Sequence, residues 1–522
     1  MKKTDLILIL DFGSQYTQLI ARRTRELKVY SEIHTYKLNL KKFLKDKEKN
    51  YNLKGVILSG GPASVTGKDS PKISKPDLDY FVKKKIPVLG ICYGMQLLCS
   101  IYKGSLHASL QREYGSTKIY IFKDSELFKG ISSQLNVWMS HGDSIDKIPA
   151  KFIPTSKSIS GVICSFENPM TKIYGLQFHP EVNHTESGRI ILHNFLFGIC
   201  LVKNLFEAGS FIENKIEEIK KTSGKDNVIC ALSGGVDSSV AALLVSKAIG
   251  DKLTCIHIDN GLMRKNESRK VIELFEKHYK LNLIFINASE LFLKRLKGVF
   301  DPEKKRKIIG KTFIDVFEKE AKKLKGVKYL VQGTLYPDVI ESVTLKGPSS
   351  KIKTHHNVGG LPEKMDLKLI EPFRELFKDE VRDIGKTLGL RENFINRHPF
   401  PGPGLGIRIL SDVTKEKLNI LKEVDDIYIN GLKEFGLYEK IWQAFSVLLP
   451  VQTVGVMGDE RSYENVIGLR AVTSTDGMTA DFYAFDKEFL SHISNKIINS
   501  VKGVNRVVYD ISSKPPATIE WE

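Results

Sequence analysis

Cys92 stands between Gly90 and Gly94 at the end of the apolar run Pro87–Ile91, and a helix-forming stretch follows it. A nucleophile flanked by glycines on a strand-to-helix turn is held out on a tight bend, because the glycines permit the turn and keep side chains off the sulfur. The dipole of the following helix favours the thiolate. Such a sulfur also needs a proton shuttle. Phe178-His179-Pro180-Glu181 offers one, with His179 as base and Glu181 holding its tautomer. Two residues apart at a strand end, the two side chains point to one side. Ser59-Gly60-Gly61-Pro62 closes a neighbouring strand, and the amides of Gly61 and Tyr93 are the expected oxyanion donors. Cys92 alone reads as a buried structural thiol and His179 alone as a satisfied turn residue. Their occurrence together with the Gly-Gly-Pro turn points to nucleophilic catalysis.

A second constellation needs a different chemistry. Ser233-Gly234-Gly235-Val236-Asp237-Ser238-Ser239 follows the apolar run Val228–Leu232 and feeds an Ala/Leu/Val-rich helix. Free amides and hydroxyls converge at such a turn and make an anion site. Gly310-Lys311-Thr312 imitates the end of a Walker motif, but Lys305 stands where its first glycine belongs and the surroundings read as helix. A P-loop kinase or GTPase is therefore rejected.

The elements that must position these groups form an α/β pattern. A chain of 522 residues exceeds one core and implies two or three domains. Leu6–Asp11, Gly55–Ser59, Pro87–Cys92 and Tyr174–His179 read as buried strands, the first three parallel. Residues 203–221 read as an amphipathic helix and Thr222–Asp226 as a linker or turn. Asn227–Leu232, Leu253–Asp259 and Tyr329–Gln332 read as strands of a second series, with a helix from about Ser238 to Ile249. The run His398-Pro-Phe-Pro401-Gly402-Pro-Gly404 admits neither regular helix nor strand. The expected architecture is two open, mostly parallel-sheet α/β domains, residues 4–203 and 204–397, followed by a smaller α+β C-terminal domain, residues 398–522.

Composition excludes several classes. No apolar run approaches the ~18–20 residues that cross a bilayer, so no membrane role is expected. Lys2 and Lys3 before Leu6–Leu10 imitate a signal peptide, but the apolar stretch stops at Asp11 and reads as the first strand. Six cysteines without a C-x-x-C pair disfavour zinc or a redox dithiol and suit a reducing cytoplasm. The net charge of +18 comes from dispersed lysines without interleaved aromatics, so no nucleic-acid partner is expected.

Gly-Ile-Cys92-Tyr-Gly-Met-Gln, Phe-His179-Pro-Glu181, Asp11-Phe-Gly-Ser-Gln-Tyr and Ser59-Gly-Gly-Pro resemble the triad-type glutamine amidotransferases. That resemblance implies Cys92 as the nucleophile that forms a glutamyl thioester and releases ammonia, with His179 and Glu181 completing a triad. Ser140-His-Gly-Asp143 resembles a segment near the glutamine pocket of the same family. The string Ser233–Ser239 resembles the pyrophosphate loop of the ATP pyrophosphatases, which cleave ATP between its α and β phosphates and leave AMP on a substrate oxygen. It implies ATP binding at Ser233, Gly234, Gly235, Val236, Asp237, Ser238 and Ser239, Mg²⁺ positioned with ATP by Asp237, and adenine and ribose near His257–Gly261.

Adenylation turns a poor leaving oxygen into AMP, and ammonia can then displace it, so the two motifs together imply an ATP-driven amidation. Asp301–Lys307, Gly333–Ser342, Lys353–Pro362 and Lys514-Pro-Pro-Ala-Thr-Ile519-Glu520-Trp-Glu resemble the GMP synthetase family over nearly the whole chain and in its domain order. The family implies glutamine, ATP and xanthosine monophosphate (XMP) as substrates. It implies XMP contacts at Arg306, Pro401, Gly402, Lys514, Ile519 and Glu520, and a homodimer made by the C-terminal domain. A Lys-rich segment near 41–54 reads as an enlarged loop relative to that family. The alternative, a pyrophosphate-loop tRNA-modifying enzyme, needs a sulfur-carrying cysteine pair or an RNA-binding module, and neither is found.

Overall fold

The computed structural model describes residues 3–67, 69–339, 367–457, 460–474 and 479–522. The chain divides into two compact units, Met1–Ser210 and Phe211–Glu522.

The first unit is built on a nine-stranded sheet. Its strands are β1 (Thr4–Asp11), β2 (Tyr30–Thr35), β3 (Tyr51–Leu58), β4 (Val88–Ile91), β5 (Ser105–Ile121), β6 (Gln134–Lys147), β7 (Ile153–Ser158), β8 (Ile163–Asn168) and β9 (Ile173–Leu176), in the order β2-β1-β3-β4-β9-β8-β7-β5-β6. The five strands from β2 to β9 run parallel, and the other four continue antiparallel. Leu6–Leu10 is buried on both faces, as a central parallel strand must be. Parallel strands carry their following loops to one edge. Here that edge gathers the chain after Asp11, Leu58, Ile91 and Leu176.

Two local expectations differ. The last strand of the parallel group stops at Leu176 instead of reaching His179. Pro180 removes a ladder donor just beyond, and the His179 amide turns instead to the Trp138 carbonyl at 3.1 Å. The Lys-rich segment 41–54 is not a loop. Asn39 accepts a hydrogen bond from the Lys42 amide and caps a helix over Leu40–Lys47, and β3 begins at Tyr51. Phe43 faces the core while Lys41, Lys42 and Lys45 stay in solvent and Lys47 pairs with Glu32 at 2.5 Å.

The second unit begins within the helix Ala208–Ser223 and is built on a parallel five-stranded sheet. Its strands are β10 (Asn227–Ala231), β11 (Leu253–Asp259), β12 (Asn282–Asn287), β13 (Val327–Val331) and β14 (Lys368–Ile370), ordered β12-β11-β10-β13-β14. The chain leaves β10 to one side for β11 and β12, then returns to its other side for β13. β10 thus stands at a switch point, the place where open α/β sheets bind ligands. Gly310-Lys311-Thr312 lies inside the helix Pro302–Ala321, which agrees with the rejection of a P-loop.

After His398–Pro403, which has no regular structure, come a helix Lys415–Glu434 and a third sheet. There β15 (Gln443–Met457) pairs antiparallel with β16 (Glu460–Thr473), and the short β17 (Asp481–Phe482) and β18 (Val504–Tyr509) both pair with β16. One continuous apolar core runs from Ile229 and Ile256 under the second sheet, through Leu405 and Ile409, to Leu448, Ile467 and Ile493 under the third.

Candidate active sites

Cys92 occupies the turn between β4 and the helix Tyr93–Ile101, at φ +52° and ψ −107°. A non-glycine residue in this region is strained by roughly 1–3 kcal/mol and persists only where its surroundings over-determine it. They do so here. The Cys92 amide donates to Leu176 at 2.7 Å, its carbonyl accepts from Gln96 at 3.1 Å, and the Gly94 amide donates to Ser59 at 3.1 Å. The flanking glycines have a steric reason as well as a conformational one. A Cβ on Gly94 would stand 2.4 Å from the Leu58 carbonyl oxygen, and one on Gly90 would stand 2.5 Å from Gly94.

His179 and Glu181 are buried beside it, with His179 Nδ1 2.7 Å from Glu181 Oε1. Nδ1–H donates to the carboxylate, which leaves Nε2 for the Cys92 side chain, a hydrogen-bond partner of the imidazole. Burial opposes a charge on this ring, yet the Glu181 carboxylate and the Cys92 contact together raise its pKa well above the usual 6.5. Arg23 Nε holds the Glu181 carbonyl at 3.1 Å. The Gly-Gly-Pro turn reaches the same place, since a Cβ on Gly60 would stand 3.1 Å from His179 Cε1. Ser59 Oγ accepts from the Phe12 amide at 3.0 Å, so the loops after β1 and β3 are fastened together. The Tyr93 amide opens its helix and has no intrahelical acceptor. Ser140 and Asp143 also close on the site. The Cys92 Sγ lies 3.6 Å from the Ser140 carbonyl, and Gln96 Nε2 donates to the Asp143 carbonyl at 2.9 Å. Cys92, His179, Glu181 and the Gly60–Gly61 turn are thus brought together, though they come from three loops.

In the second unit the helix Val236–Ile249 begins directly after Gly235 without a side-chain cap. Its first amides are free to meet an anion. Gly234 has φ +81°, and a Cβ there would press on Val271 at 2.7 Å. Ser233 Oγ and Ser238 Oγ lie 2.9 Å apart across the mouth of the loop, and the Gly235 amide donates to Ser233 Oγ at 3.3 Å. Asp237, in the first turn of the helix, has Oδ2 3.9 Å from Lys378 Nζ. Its Oδ1 is buried without a hydrogen-bond partner. Burial raises its pKa, Lys378 and Arg382 oppose the rise, and the Asp338 carboxylate adds to it. An orphaned carboxylate oxygen facing a second carboxylate, at the foot of an anion site, suits a hard divalent cation. Among the described residues there is no cluster of three or more His, Cys, Asp or Glu that would hold a metal by itself. Any ion at Asp237 therefore needs oxygens from elsewhere, as a triphosphate supplies.

The segment expected near adenine and ribose closes the neighbouring strand. Asp259 Oδ1 accepts from Gly261 at 2.8 Å and Asn260 Oδ1 from Leu262 at 2.9 Å. His257 is buried with Nδ1 2.7 Å from the Leu232 carbonyl, and burial lowers its pKa against the opposing pull of that carbonyl and of Asp259 and Glu267. A cavity of about 420 Å³ lined by Asp259, Ser268, Ile272 and Phe285 adjoins this strand end. That volume is in the range of small-ligand pockets.

The six residues expected to hold the acceptor fall around the C-terminal tail. Arg306 NH2 donates to the Glu522 carbonyl oxygen. Glu520 Oε1 accepts from Gln443 Nε2 at 2.6 Å and Arg408 NH2 at 2.8 Å, and its Oε2 accepts from Arg408 Nε at 3.2 Å. Ile519 packs with Phe445, Val447, Val472 and Ala480. The Lys514 backbone pairs both ways with Ala480, at 2.7 and 3.1 Å. Pro401 and Gly402 lie in a turn closed by the Gly404 amide on the Pro401 carbonyl at 2.9 Å. The preceding Phe400 ring covers Arg408 at 5.1 Å. Glu341 and the segment 353–362, which carry part of the family resemblance, lie outside the described residues.

Sequence reasoning missed the groups that organise this tail. Arg470 is fully buried and holds four points of it: Ile519 O at 2.8 Å, Asp510 Oδ2 at 2.6 Å, Ser512 O at 3.1 Å and Thr518 O at 3.0 Å. Arg408 and Lys305 are equally buried, and Lys305 Nζ donates to Ile409 O at 2.6 Å and Glu522 Oε2 at 2.9 Å. No motif marks Arg408 or Arg470, whose signal is a tertiary pairing with residues 40 to 112 positions away, and Lys305 lies in the string Asp301–Lys307 with no role assigned to it there.

Comparison with known proteins follows the same division. Residues 8–199 match the family model for glutamine amidotransferase class-I, residues 208–305 the model for NAD synthase, and residues 430–521 the model for the GMP synthase C terminal domain. A GMP synthase (glutamine-hydrolyzing) of Brachyspira hyodysenteriae is 54% identical over 518 residues, covering 99% of both chains. A protein of the same description from Chlorobium chlorochromatii is 56% identical over 522 residues, again covering 99% of both.

Proposed function

The chain belongs to the glutamine-hydrolysing GMP synthase family, and from that premise we propose how its residues divide the reaction. The enzyme hydrolyses glutamine to release ammonia, adenylates XMP with ATP, and aminates the intermediate to GMP, with AMP and pyrophosphate as the other products. The glutaminase domain spans residues 4–203, the ATP pyrophosphatase domain 204–397 and the C-terminal domain 398–522.

In the glutaminase step the Cys92 sulfur attacks the side-chain amide carbon of glutamine. The carbonyl oxygen takes the negative charge and is met by the amides of Gly61 and Tyr93. His179 gives its Nε2 proton to the departing nitrogen, and ammonia leaves a glutamyl thioester on Cys92. A water then loses a proton to His179 and attacks the thioester carbon, and glutamate departs. Glu181 keeps Nδ1–H fixed throughout and stabilises the imidazolium. The 2.7 Å contact between His179 and Glu181 supports this assignment.

In the synthetase step the loop Ser233–Ser239 receives the ATP polyphosphate on its free amides and hydroxyls. Asp237 would hold Mg²⁺, which would supply charge neutralisation for the triphosphate. The exocyclic oxygen on the purine carbon of XMP to be aminated attacks the α-phosphorus, and the bond to the β-phosphate breaks to release pyrophosphate. Ammonia adds to the activated carbon, loses a proton, and AMP departs with the oxygen. Arg306, Pro401, Gly402, Lys514, Ile519 and Glu520 hold XMP.

The observation that carries this reading is the presence on one chain of a buried His–Glu pair beneath a strained cysteine and of an uncapped helix behind a Ser/Gly turn. The test is direct. Incubation with glutamine, ATP, Mg²⁺ and XMP gives GMP, AMP and pyrophosphate. Cys92→Ala abolishes glutamine use but leaves synthesis from ammonia. Loss of both activities in a folded C92A variant sinks the division of labour.

The working form is a homodimer. Val454 and its cross-strand partner Tyr463 on β15 and β16 are exposed, as are Val456 and Val508 on the same sheet. Apolar residues grouped on a strand pair are what such an interface uses. Six free cysteines suit a reducing cytoplasm.

A further inference from the structure

Arg397 touches three parts of the second unit at once. Its NH1 donates to the Gly234 carbonyl at 2.8 Å, its NH2 pairs with Glu267 Oε1, and its guanidinium lies over the Phe394 ring at 4.8 Å. Glu267 is buried and its second oxygen accepts from the Arg264 amide at 3.1 Å, so the carboxylate cannot swing away. The Arg397 carbonyl in turn accepts from Arg382 at 3.2 Å. A guanidinium presents donors in a rigid fork, and this one uses two arms of it on different elements.

The Gly234 carbonyl matters because a peptide is planar and trans. Its C=O and the following N–H point in opposite directions. Arg397 takes the carbonyl of the Gly234–Gly235 peptide, and the Gly235 N–H therefore faces Ser233 Oγ and the mouth of the loop. Gly234 at φ +81° has no side chain to hold it in place. The arginine supplies the restraint from outside.

The next residue carries the connection onward. His398 stacks on Tyr438 at 3.8 Å, its amide donates to Tyr438 Oη at 3.0 Å, and its Nδ1 accepts from the Ala444 amide at 3.2 Å. Ala444 follows Gln443, whose side chain holds Glu520 at 2.6 Å. A chain of peptide bonds and hydrogen bonds thus joins Gly234 to Glu520 through Arg397, His398, Ala444 and Gln443.

We propose that Arg397 is a positioning residue that couples the pyrophosphate loop to the acceptor site: it fixes the Gly234–Gly235 peptide and makes ATP affinity depend on bound XMP. The inference rests on the assignment of the two substrates given above. Linkage requires the dependence to be mutual.

The experiment compares the Kd of α,β-methylene ATP, which is not cleaved at the relevant bond, with and without saturating XMP. Wild-type enzyme shows tighter analogue binding with XMP, by about fivefold or more. In Arg397→Met that ratio falls to near one, and the KM for ATP rises roughly tenfold with a smaller fall in kcat. Arg397→Lys, which keeps the charge but not the fork, recovers part of the ratio. If R397M does not fold, Glu267→Gln is read instead, with the ratio expected to fall by half or more. An unchanged ratio in the folded variant, or no XMP effect in wild type, overturns the inference. So does a lowered Tm with kcat and KM for ATP unmoved. A wild-type enzyme that makes no GMP at all sinks the substrate assignment itself, which separates the two failures.

Discussion

His179 Nδ1 and Glu181 Oε1 stand 2.7 Å apart with both side chains out of solvent, and the Glu181 carboxylate is what allows a buried imidazole to carry a proton. Replacing Glu181 by Gln keeps the shape and removes the charge. Glutamine-dependent GMP synthesis is expected to fall by about 10²-fold or more, while ammonia-dependent synthesis stays within a few-fold of wild type. The pH dependence has a definite sign. A pKa raised by folding contributes stability that is complete below the ordinary 6.5 and lost as pH rises through the folded value. Wild-type thermal stability should therefore decline above pH 6.5 more steeply than that of E181Q. Wild-type glutamine turnover in E181Q contradicts the triad.

Gly94→Ala tests the geometry beneath the nucleophile. The added Cβ would stand 2.4 Å from the Leu58 carbonyl oxygen, and backbone cannot yield as a flexible side chain does. A destabilisation of about 1–3 kcal/mol is expected from overpacking. Glutaminase activity should drop out of proportion, because the same shift moves Cys92 relative to His179. Denaturant melts and glutamine turnover on one preparation decide it. A variant with full glutaminase activity shows that the elbow tolerates a side chain.

Both candidate sites are legible in sequence because each is a turn written in consecutive residues. The glycines around Cys92 and the Ser/Gly run at 233–239 announce backbone geometry locally. The strands beneath them were legible too, as buried apolar runs. Strand ends were less so. His179 was expected on the strand, but β9 stops at Leu176, where the backbone pairs with other loops. The Lys-rich segment 41–54 hid a helix because Leu40 and Phe43 are its only buried residues. Arg408 and Arg470 were not legible at all. A buried arginine is defined by partners that meet it only after folding, and Glu520 lies 112 residues from Arg408.

Asp237→Asn tests the metal assignment. The orphaned Oδ1 and the pKa raised by burial describe a carboxylate waiting for a cation. The amide keeps the size and loses the charge, so the Mg²⁺ concentration for half-maximal adenylation should rise about tenfold or more. Chelation of Mg²⁺ should abolish GMP formation from either nitrogen source while glutamine hydrolysis at Cys92 persists at its basal rate. An unchanged Mg²⁺ requirement in D237N removes Asp237 from the metal site.

His398 supplies a stability switch on the acid side. Burial, reinforced by nearby cations and only partly opposed by the Tyr438 carbonyl, lowers its pKa from 6.5 to about 4. A base whose pKa is depressed by folding stabilises the native state above its unfolded value and loses that contribution as pH falls toward the folded one. The window is therefore pH 6.5 down to about 4. A shift of this size corresponds to on the order of 3 kcal/mol across the window. Urea melts of wild type should lose stability there, and His398→Asn, which cannot titrate, should lose markedly less. Parallel slopes for the two proteins would falsify the assignment.

Arg470 carries the last prediction, because it fastens the tail that reaches the acceptor. Its guanidinium satisfies three backbone carbonyls and the Asp510 carboxylate from a fully buried position. Arg470→Met leaves the carboxylate without its partner and frees residues 510–520. Breaking a buried pair by removing one member costs about 3–5 kcal/mol. Here part of that loss can be relieved by release of the tail to water. The global melt should then fall less than the pair energy, while the KM for XMP rises roughly tenfold or more and the KM for glutamine is unmoved. Proteolysis should clip the tail of R470M near Ser512 before the rest of the chain. If the KM for XMP stays at its wild-type value, then Lys514, Ile519 and Glu520 do not hold the acceptor, and the tail is structural.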